Sequence, residues 1–158
     1  MPPYPTHNHL DGLKGAQAVT CAIWLALGGT AASEICEKIA QGYEYDLSKT
    51  VDEIRPEYGF NETCQETVPQ AITCALEATD FEDAIRNAVS LGGDSDTLAC
   101  IAGAIAEARF GCPADLVAVA KSKLPDEMIA VLDALYDRRR PIEEVASQKI
   151  FLASSSLI

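Results

Sequence analysis

Residues 88–111 read AVSLGGDSDTLACIAGAIAEARFG, and this stretch decides the fold class. Its second half carries Leu98 and Ile105 on one side at helical spacing, with small residues on another side. A pair of glycines, Gly92 and Gly93, separates this half from a preceding segment that also has an apolar helical face. The stretch therefore predicts two helices joined by a sharp turn.

The same helical spacing recurs outward from this stretch, and no segment of useful length alternates with period two. The predicted fold class is all-α, with one domain over residues 1–158 and frayed tails at 1–5 and 153–158. Glycines and prolines mark the helix ends, and Gly103 indicates close helix contact. Asp11 is the predicted N-cap of the first helix, and Thr79 and Glu82 match a capping box at the start of the fifth. The predicted helices cover 11–27, about 30–42, 48–54, about 69–78, 79–91, 96–110, 113–124 and 125–140, with a last one from Pro141.

The charge balance excludes one large class of partners. The chain has 24 acidic and 12 basic residues, a formal net charge of -12. No basic stripe is present to displace counterions from phosphates, so a nucleic-acid partner is not expected. The N-terminus lacks the pattern of a secretory signal, and the longest apolar stretch, Val19 to Leu27, is too short to cross a bilayer. We expect a cytoplasmic protein with no membrane partner.

The cysteines predict neither a zinc site nor a disulfide framework. They form no CxxC pair, and no histidine lies near them at zinc-ligand spacing. Several lie among apolar residues of predicted helices, where cysteine behaves as a small hydrophobic residue. We interpret all six as thiols: Cys21, Cys36, Cys64, Cys74, Cys100 and Cys112.

The segment GGDSDT, residues 92–97, carries the chemistry of greatest interest. Its glycines permit a sharp turn that a ligand can approach closely, and it places two carboxylates and a hydroxyl at the start of a helix. Oxygen donors of this kind suit magnesium. The alternative is that Asp94 or Asp96 only caps the helix. An EF-hand and a haloacid-dehalogenase motif fit worse, because the first needs a later glutamate and the second a preceding strand.

Residues 88–111 resemble the signature of the ADP-ribosylglycohydrolase family, which includes dinitrogenase reductase-activating glycohydrolase. In that family GGDxDT is followed by a helix rich in small residues, as in residues 88–111. The resemblance extends to THNHLDGLKGA (6–16), EIRPEYGFNETCQ (53–65) and residues 68–88. It implies an orthogonal multi-helix bundle like the C-terminal half of an ADP-ribosylglycohydrolase.

The resemblance also implies a metal site. Asp94, Asp96 and Thr97 correspond to ligands of a binuclear magnesium centre, for which manganese is an alternative. Such a centre would hold the ribose hydroxyls of an ADP-ribosyl group and position the water that attacks its anomeric carbon.

Six further residues are candidates for ligand binding. By resemblance His7 lies near the phosphates or the distal ribose of ADP-ribose, and Asn8 continues the same loop. Without the resemblance, histidines near a terminus are ordinary surface groups more often. Gly92 and Gly93 let the backbone approach the ligand. Tyr58, in the predicted loop from Arg55 to Thr67, could offer an aromatic face to adenine or ribose, as could Phe60; both could equally anchor that loop.

One departure from the family pattern governs the functional prediction. A complete member carries a Thr-Asp-Asp cluster that supplies the opposing metal ligands, and this sequence contains none. We therefore expect a truncated ADP-ribosylglycohydrolase-like protein that binds magnesium weakly, with weak or no hydrolysis alone, and that forms a homo-oligomer to cover exposed apolar faces. One alternative is an active ADP-ribosyl hydrolase completed by a dimer mate or second chain. The other is a non-catalytic helical interaction or ADP-ribose-binding module.

Overall fold

The computed structural model describes residues 8–138, and over this range the protein has eight helices and no strand. The prediction of an all-α fold is confirmed. The helices are α1 (Leu10–Leu27), α2 (Ala32–Tyr43), α3 (Val51–Ile54), α4 (Cys64–Glu77), α5 (Phe81–Ser90), α6 (Ser95–Phe110), α7 (Ala114–Lys121) and α8 (Asp126–Asp137). The helix predicted from Pro141, both tails and His7 lie outside the described residues.

The helices group by their contacts into two compact units, divided between Gly111 and Cys112. The first unit contains α1 to α6, and the second contains α7 and α8. The prediction of a single domain over residues 1–158 stays a prediction, because such a grouping does not show whether the two units fold independently.

Helix α6 lies at the centre of the first unit, where it packs against α1, α4 and α5. Its side chains Leu98, Ala102 and Ile105 are fully buried. Gly103 faces α5: a Cβ atom there would lie 3.0 Å from Ile85 Cδ1, as the predicted close helix contact requires. Gly111 ends α6 with φ +77°, and its N–H donates to Glu107 O at 2.9 Å.

Helix α4 begins earlier than the sequence predicted. The loop ends at Thr63, whereas we expected it to run to Thr67 with Pro69 in the first turn of the helix. Two hydrogen bonds explain the earlier start: Thr63 N and Thr63 Oγ1 both donate to Asn61 Oδ1 at 2.7 Å. Pro69 lies inside α4, where its ring is buried. Its burial offsets the helical hydrogen bond that proline cannot donate.

Two predicted helix caps are shifted along the chain. Helix α5 is capped by Asp80, which accepts from Asp83 N at 2.8 Å, and not by the predicted pair Thr79 and Glu82. Thr79 N and Oγ1 instead donate to the Asp83 carboxylate, while Glu82 pairs with Arg86. The choice depends on which carboxylate reaches the free N–H groups, which residue type alone does not determine.

The other shift is at α1, where His9 and not Asp11 is the N-cap residue. His9 Nδ1 accepts from Asp11 N at 3.3 Å. Helix α3 is shorter than the helix predicted over residues 48–54, because the capping box of Thr50 and Glu53 starts α3 at Val51.

The cysteines agree with the prediction of thiols, since within the described residues none of the six is bridged to another. Cys74 is fully buried in the core of the first unit, and Cys100 is exposed. Within residues 8–138, none of the helices combines the length and the apolar character needed to cross a membrane.

Candidate metal centre

The GGDSDT segment is a turn between α5 and α6 in which both glycines have left-handed backbone conformations. Gly92 has φ +73° and Gly93 has φ +62°. Gly92 closes the C-terminus of α5, with its N–H donating to Val89 O at 3.1 Å. Since other residues adopt positive φ at a cost of about 1–2 kcal/mol, two in succession explain why glycines occur here.

Gly93 also packs closely against the loop that follows α3. A Cβ atom on Gly93 would lie 2.8 Å from Gly59 O and 3.1 Å from Tyr58 Cε1. Only glycine fits so close to another backbone. The structure therefore brings together two segments that are separate candidates in the sequence, the loop with Tyr58 and the turn with Asp94.

The carboxylates of the turn differ in their relation to α6. Asp94 is in the N-cap position, but its side chain makes no capping hydrogen bond. Asp96 is in the first turn, and its pKa is lowered first by a hydrogen bond with the Asp94 side chain and then by the backbone N–H groups of Asp96 and Thr97. The carboxyl groups of Asp94 and Asp96 are thus neighbours. Asp94 is half-buried, while Asp96 and Thr97 are exposed.

These positions bear on the alternative that the acids only cap the helix. Asp96 interacts with N–H groups at the start of α6, so this residue does stabilise the N-terminus of the helix. Asp94, in contrast, occupies the capping position without using its carboxylate there. The position of the Asp94 carboxylate is therefore not explained by capping of α6.

The donor set fits magnesium in chemistry but not in number. Two carboxylates and the Thr97 hydroxyl provide the oxygen atoms that magnesium prefers, and their exposure leaves room for retained waters. In the part of the chain that the structure describes, no group of three or more histidine, cysteine, aspartate or glutamate side chains could hold a metal ion. Within residues 8–138, one copy therefore brings together fewer ligands than a complete magnesium site needs.

Tyr58 lies beneath the turn. The residue is half-buried, but its hydroxyl is buried and has no hydrogen-bond partner among the described residues. Burial raises the pKa of Tyr58, and the nearby charges of Asp94 and Glu66 raise it further, against a lowering by the Thr67 hydroxyl. Thr67 Oγ1 is engaged with Asn61 O at 3.2 Å. The Tyr58 hydroxyl therefore does not face solvent, so it is not available for a hydrogen bond to a polar ligand.

Of the two N-terminal candidates, Asn8 lies within the described residues and His7 lies outside them. Asn8 is exposed immediately before α1, and no hydrogen bond among residues 8–138 joins it to the turn. The start of α1 is tied to the start of α4, because Gln65 Nε2 donates to the Asp11 carboxylate. A role of Asn8 in ligand binding stays a prediction, as it does for His7.

A polar cavity of about 410 Å³ between α1, α4 and the segment after α2 was not predicted. Its lining includes Lys14, Tyr45, Gln65 and Glu66. Lys14 Nζ lies 4.6 Å above the centre of the Tyr45 ring. Gln65 and Glu66 lie in the predicted loop from Arg55 to Thr67, whereas the structure places them on α4, where they line this cavity.

The fold and the turn together define a class of protein: an all-helical protein whose central helix opens on a paired-glycine turn bearing two adjacent carboxylates. Comparison with known families identifies the particular family, because the model of the ADP-ribosylglycohydrolase family matches residues 5–155. The chain belongs to the ADP-ribosylglycohydrolase family.

The similar proteins include ADP-ribosylhydrolase ARH3 from several vertebrates. The Homo sapiens protein is 35% identical over 116 residues, which cover 66% of this chain and 32% of that protein. The Bos taurus protein gives the same identity and coverage. The Danio rerio protein is 36% identical over 75 residues, covering 40% of this chain and 20% of that protein. No solved structure gives a significant match. The chain thus spans about a third of the length of the curated relatives that it matches most extensively.

Proposed function

We propose that this chain carries half of a magnesium and ADP-ribose site, with Asp94, Asp96 and Thr97 as the metal-binding residues. The observation that supports this most is the Asp94 carboxylate, which lies beside that of Asp96 and makes no capping bond to α6. Magnesium is the expected ion, with manganese as a substitute of the same ligand preference. Binding is weak, because three oxygen donors leave half of an octahedral shell to water.

The ligand in this proposal is an ADP-ribosyl group. A bound metal ion supplies a Lewis acid and a polarised water at the ribose. The residues of this chain do the rest of the binding: Gly92 and Gly93 leave the backbone open to close approach, and the part of Tyr58 that remains exposed contacts the ligand together with His7 and Asn8. The exposed ring of Phe60, 70% accessible in the same loop, is a further contact surface.

Hydrolysis by the chain alone is weak or absent in this proposal. A water that attacks the anomeric carbon must be held in position, and such orientation contributes on the order of 7–11 kcal/mol in well-placed systems. Asp94, Asp96 and Thr97 hold the ion from one side only. The remaining ligands come from polypeptide beyond the described residues, from a second copy or from another chain.

The relatives favour an active hydrolase as the second candidate. Their name, ADP-ribosylhydrolase, is that of an enzyme, and the chain shares about a third of its residues with them over the matched region. In this second proposal a polypeptide that supplies the opposing ligands restores cleavage. A helical binding module without catalysis is the outcome if no such complement restores it.

Self-association is also part of the proposal, and it is supported by large apolar side chains on the surface of the first unit. Trp24 on α1 is 54% exposed, and Val89 on α5 is 53% exposed. Residues 97–106 of α6 contain no charged side chain, although Cys100 and Ala104 in this range are exposed. Uncharged surface of this kind favours contact with another protein surface, so we expect a homo-oligomer. A cytoplasmic location stays a prediction.

Metal titration by calorimetry tests the half-site. We expect weak magnesium binding that Asp94→Ala and Asp96→Ala each abolish. Asp126→Ala is a matched control, since Asp126 is likewise an exposed acidic residue in the first turn of a helix. Magnesium affinity that is unchanged in both turn variants, or that the control lowers equally, would remove the metal proposal.

A further inference from the structure

We propose that Tyr58 is a positioning residue for the metal-binding turn, which it holds by wedging its ring between Gly93 and the buried face of α4. This inference rests on the proposed function for its consequence in metal binding. Its structural part is independent of any metal.

The ring contacts the turn at its most constrained residue. Tyr58 Cε1 would lie 3.1 Å from a Cβ atom on Gly93, and the adjacent Gly59 O would lie 2.8 Å from it. Asp94, whose carboxylate does not cap α6, follows Gly93 directly. Any displacement of the Tyr58 ring is therefore transmitted to the backbone that sets the direction of the Asp94 side chain.

The opposite end of the Tyr58 side chain lies against α4. Its hydroxyl is buried, and it is close enough to Thr67 and Cys74 for both to influence its pKa, which burial raises in the first place. Thr67 and Cys74 are seven residues apart, and therefore on one face of the helix, and both are buried. The Tyr58 side chain thus spans the space between the turn and a rigid core helix.

The backbone of Tyr58 is fixed as well. Tyr58 N donates to Ile54 O at 3.0 Å, which anchors the residue to the end of α3. Ile54 is itself buried in the core. Tyr58 is thus constrained by its backbone hydrogen bond, by the contact of its ring with Gly93 and by the burial of its hydroxyl. Such a side chain can keep the neighbouring turn in one conformation, because preorganised binding residues need support from packed side chains around them.

The ring, and not the hydroxyl, provides this support. The Tyr58 hydroxyl makes no hydrogen bond of normal geometry, and the nearby Thr67 Oγ1 already donates to Asn61 O at 3.2 Å. Removal of the oxygen alone should therefore leave the packing of the ring intact. Tyr58→Phe keeps the ring and removes the oxygen. Tyr58→Ala removes the wedge. Tyr43→Ala is a matched control, since Tyr43 is also half-buried against the core but lies at the end of α2.

Amide hydrogen exchange gives a readout that needs no metal. The N–H groups of Gly92 and Leu98 report on the two ends of the turn, because they donate to Val89 O and Asp94 O, each at 3.1 Å. The N–H of Gly111, which donates to Glu107 O, reports on the far end of α6. In Tyr58→Ala we expect exchange at Gly92 and Leu98 to be at least about tenfold faster, beyond any change at Gly111. Tyr58→Phe should exchange as the unmodified protein does.

Manganese binding, followed by the paramagnetic resonance of the free ion, measures the functional consequence. We expect Tyr58→Ala to bind Mn²⁺ about tenfold more weakly, as is usual when support of a metal ligand is removed. Tyr58→Phe should bind Mn²⁺ with the affinity of the unmodified protein. If the unmodified protein binds no Mn²⁺, the proposed half-site fails, and the exchange experiment still decides the positioning role.

The inference is overturned if Tyr58→Ala changes exchange at Gly92 and Leu98 no more than Tyr43→Ala does. It is also overturned if Mn²⁺ affinity is the same in Tyr58→Ala and the unmodified protein, or is lost equally in Tyr58→Phe. Should Tyr58→Ala fail to fold, Tyr58→Leu keeps apolar volume while removing the reach of the ring, and the same comparisons apply.

Discussion

The close approach of Gly93 to the loop of Tyr58 and Gly59 predicts an unusually severe effect of the smallest substitution. In Gly93→Ala the added methyl group would lie 2.8 Å from Gly59 O and 3.1 Å from Gly59 C. Both are backbone atoms, which cannot rotate away as the end of a side chain can. The substitution must therefore move either the loop or the turn.

The magnitude has two parts. Alanine with φ near +62° costs about 1–2 kcal/mol relative to glycine. Forcing a methyl group into occupied space adds about 1–3 kcal/mol. Gly92→Ala isolates the first part, because Gly92 has φ +73° but a methyl group added there would meet no atom within 4 Å beyond its chain neighbours. We expect Gly93→Ala to lower the free energy of unfolding by about 2–5 kcal/mol and Gly92→Ala by about 1–2 kcal/mol.

Urea unfolding followed by far-ultraviolet circular dichroism measures both variants under the same conditions. The informative quantity is the difference between the two free energies of unfolding, since the conformational cost is common to both. A loss for Gly93→Ala no larger than for Gly92→Ala would mean that the turn and the loop do not pack as described, and the reasoning about Tyr58 would lose its basis.

Three further predictions concern stability, reactivity and association. Arg109→Ala should lower the free energy of unfolding by about 2 kcal/mol, because Arg109 Nη1 donates to the carbonyls of Ala75, Leu76 and Ala78 at the end of α4. Arg109→Lys lacks the planar guanidinium group and should recover only part of this lost stability in the same urea assay. Burial raises the pKa of Cys74 to about 12 from 9.0, so iodoacetamide at pH 8.5 should alkylate exposed Cys100 and leave Cys74 unmodified until the protein unfolds. Because folding raises the pKa of Cys74, the contribution of this thiol to the free energy of unfolding should be intact below pH 9 and fall as the pH rises through 12. Equal alkylation of Cys74 and Cys100 would contradict the burial of the Cys74 thiol. Sedimentation equilibrium at micromolar concentration should show a dimer or larger species, whereas a folded monomer would contradict the proposed self-association.

Features set by local sequence were predicted well. The Gly92-Gly93 turn and the end of α6 at Gly111 follow from glycine's tolerance of positive φ, which is a property of the residue itself. The apolar face of α6 follows from its spacing, since Leu98 and Ile105 are both buried. Helix starts were less accurate: α4 begins at Cys64 because Asn61 accepts two hydrogen bonds from Thr63, an arrangement that no hydrophobic period indicates.

The candidate site was predicted as a set of residues and not as an arrangement. Asp94 and Asp96 could be named from their spacing, and the structure adds that their carboxyl groups are neighbours and that Asp94 does not cap α6. The contact between Gly93 and Gly59 could not be predicted, because it depends on how the loop after α3 returns to the end of α5. The burial of the Tyr58 hydroxyl follows from the same long-range packing.

The measurement that tests the central proposal most directly is release of ADP-ribose from ADP-ribosyl-arginine by the purified chain with magnesium. A complete ADP-ribosylglycohydrolase that cleaves the same compound serves as the positive control. We predict a rate near background, because an ion held only by Asp94, Asp96 and Thr97 forgoes much of the orientation that can contribute on the order of 7–11 kcal/mol. Turnover by the chain alone at a rate comparable to the complete enzyme, abolished by Asp96→Ala, would contradict the account.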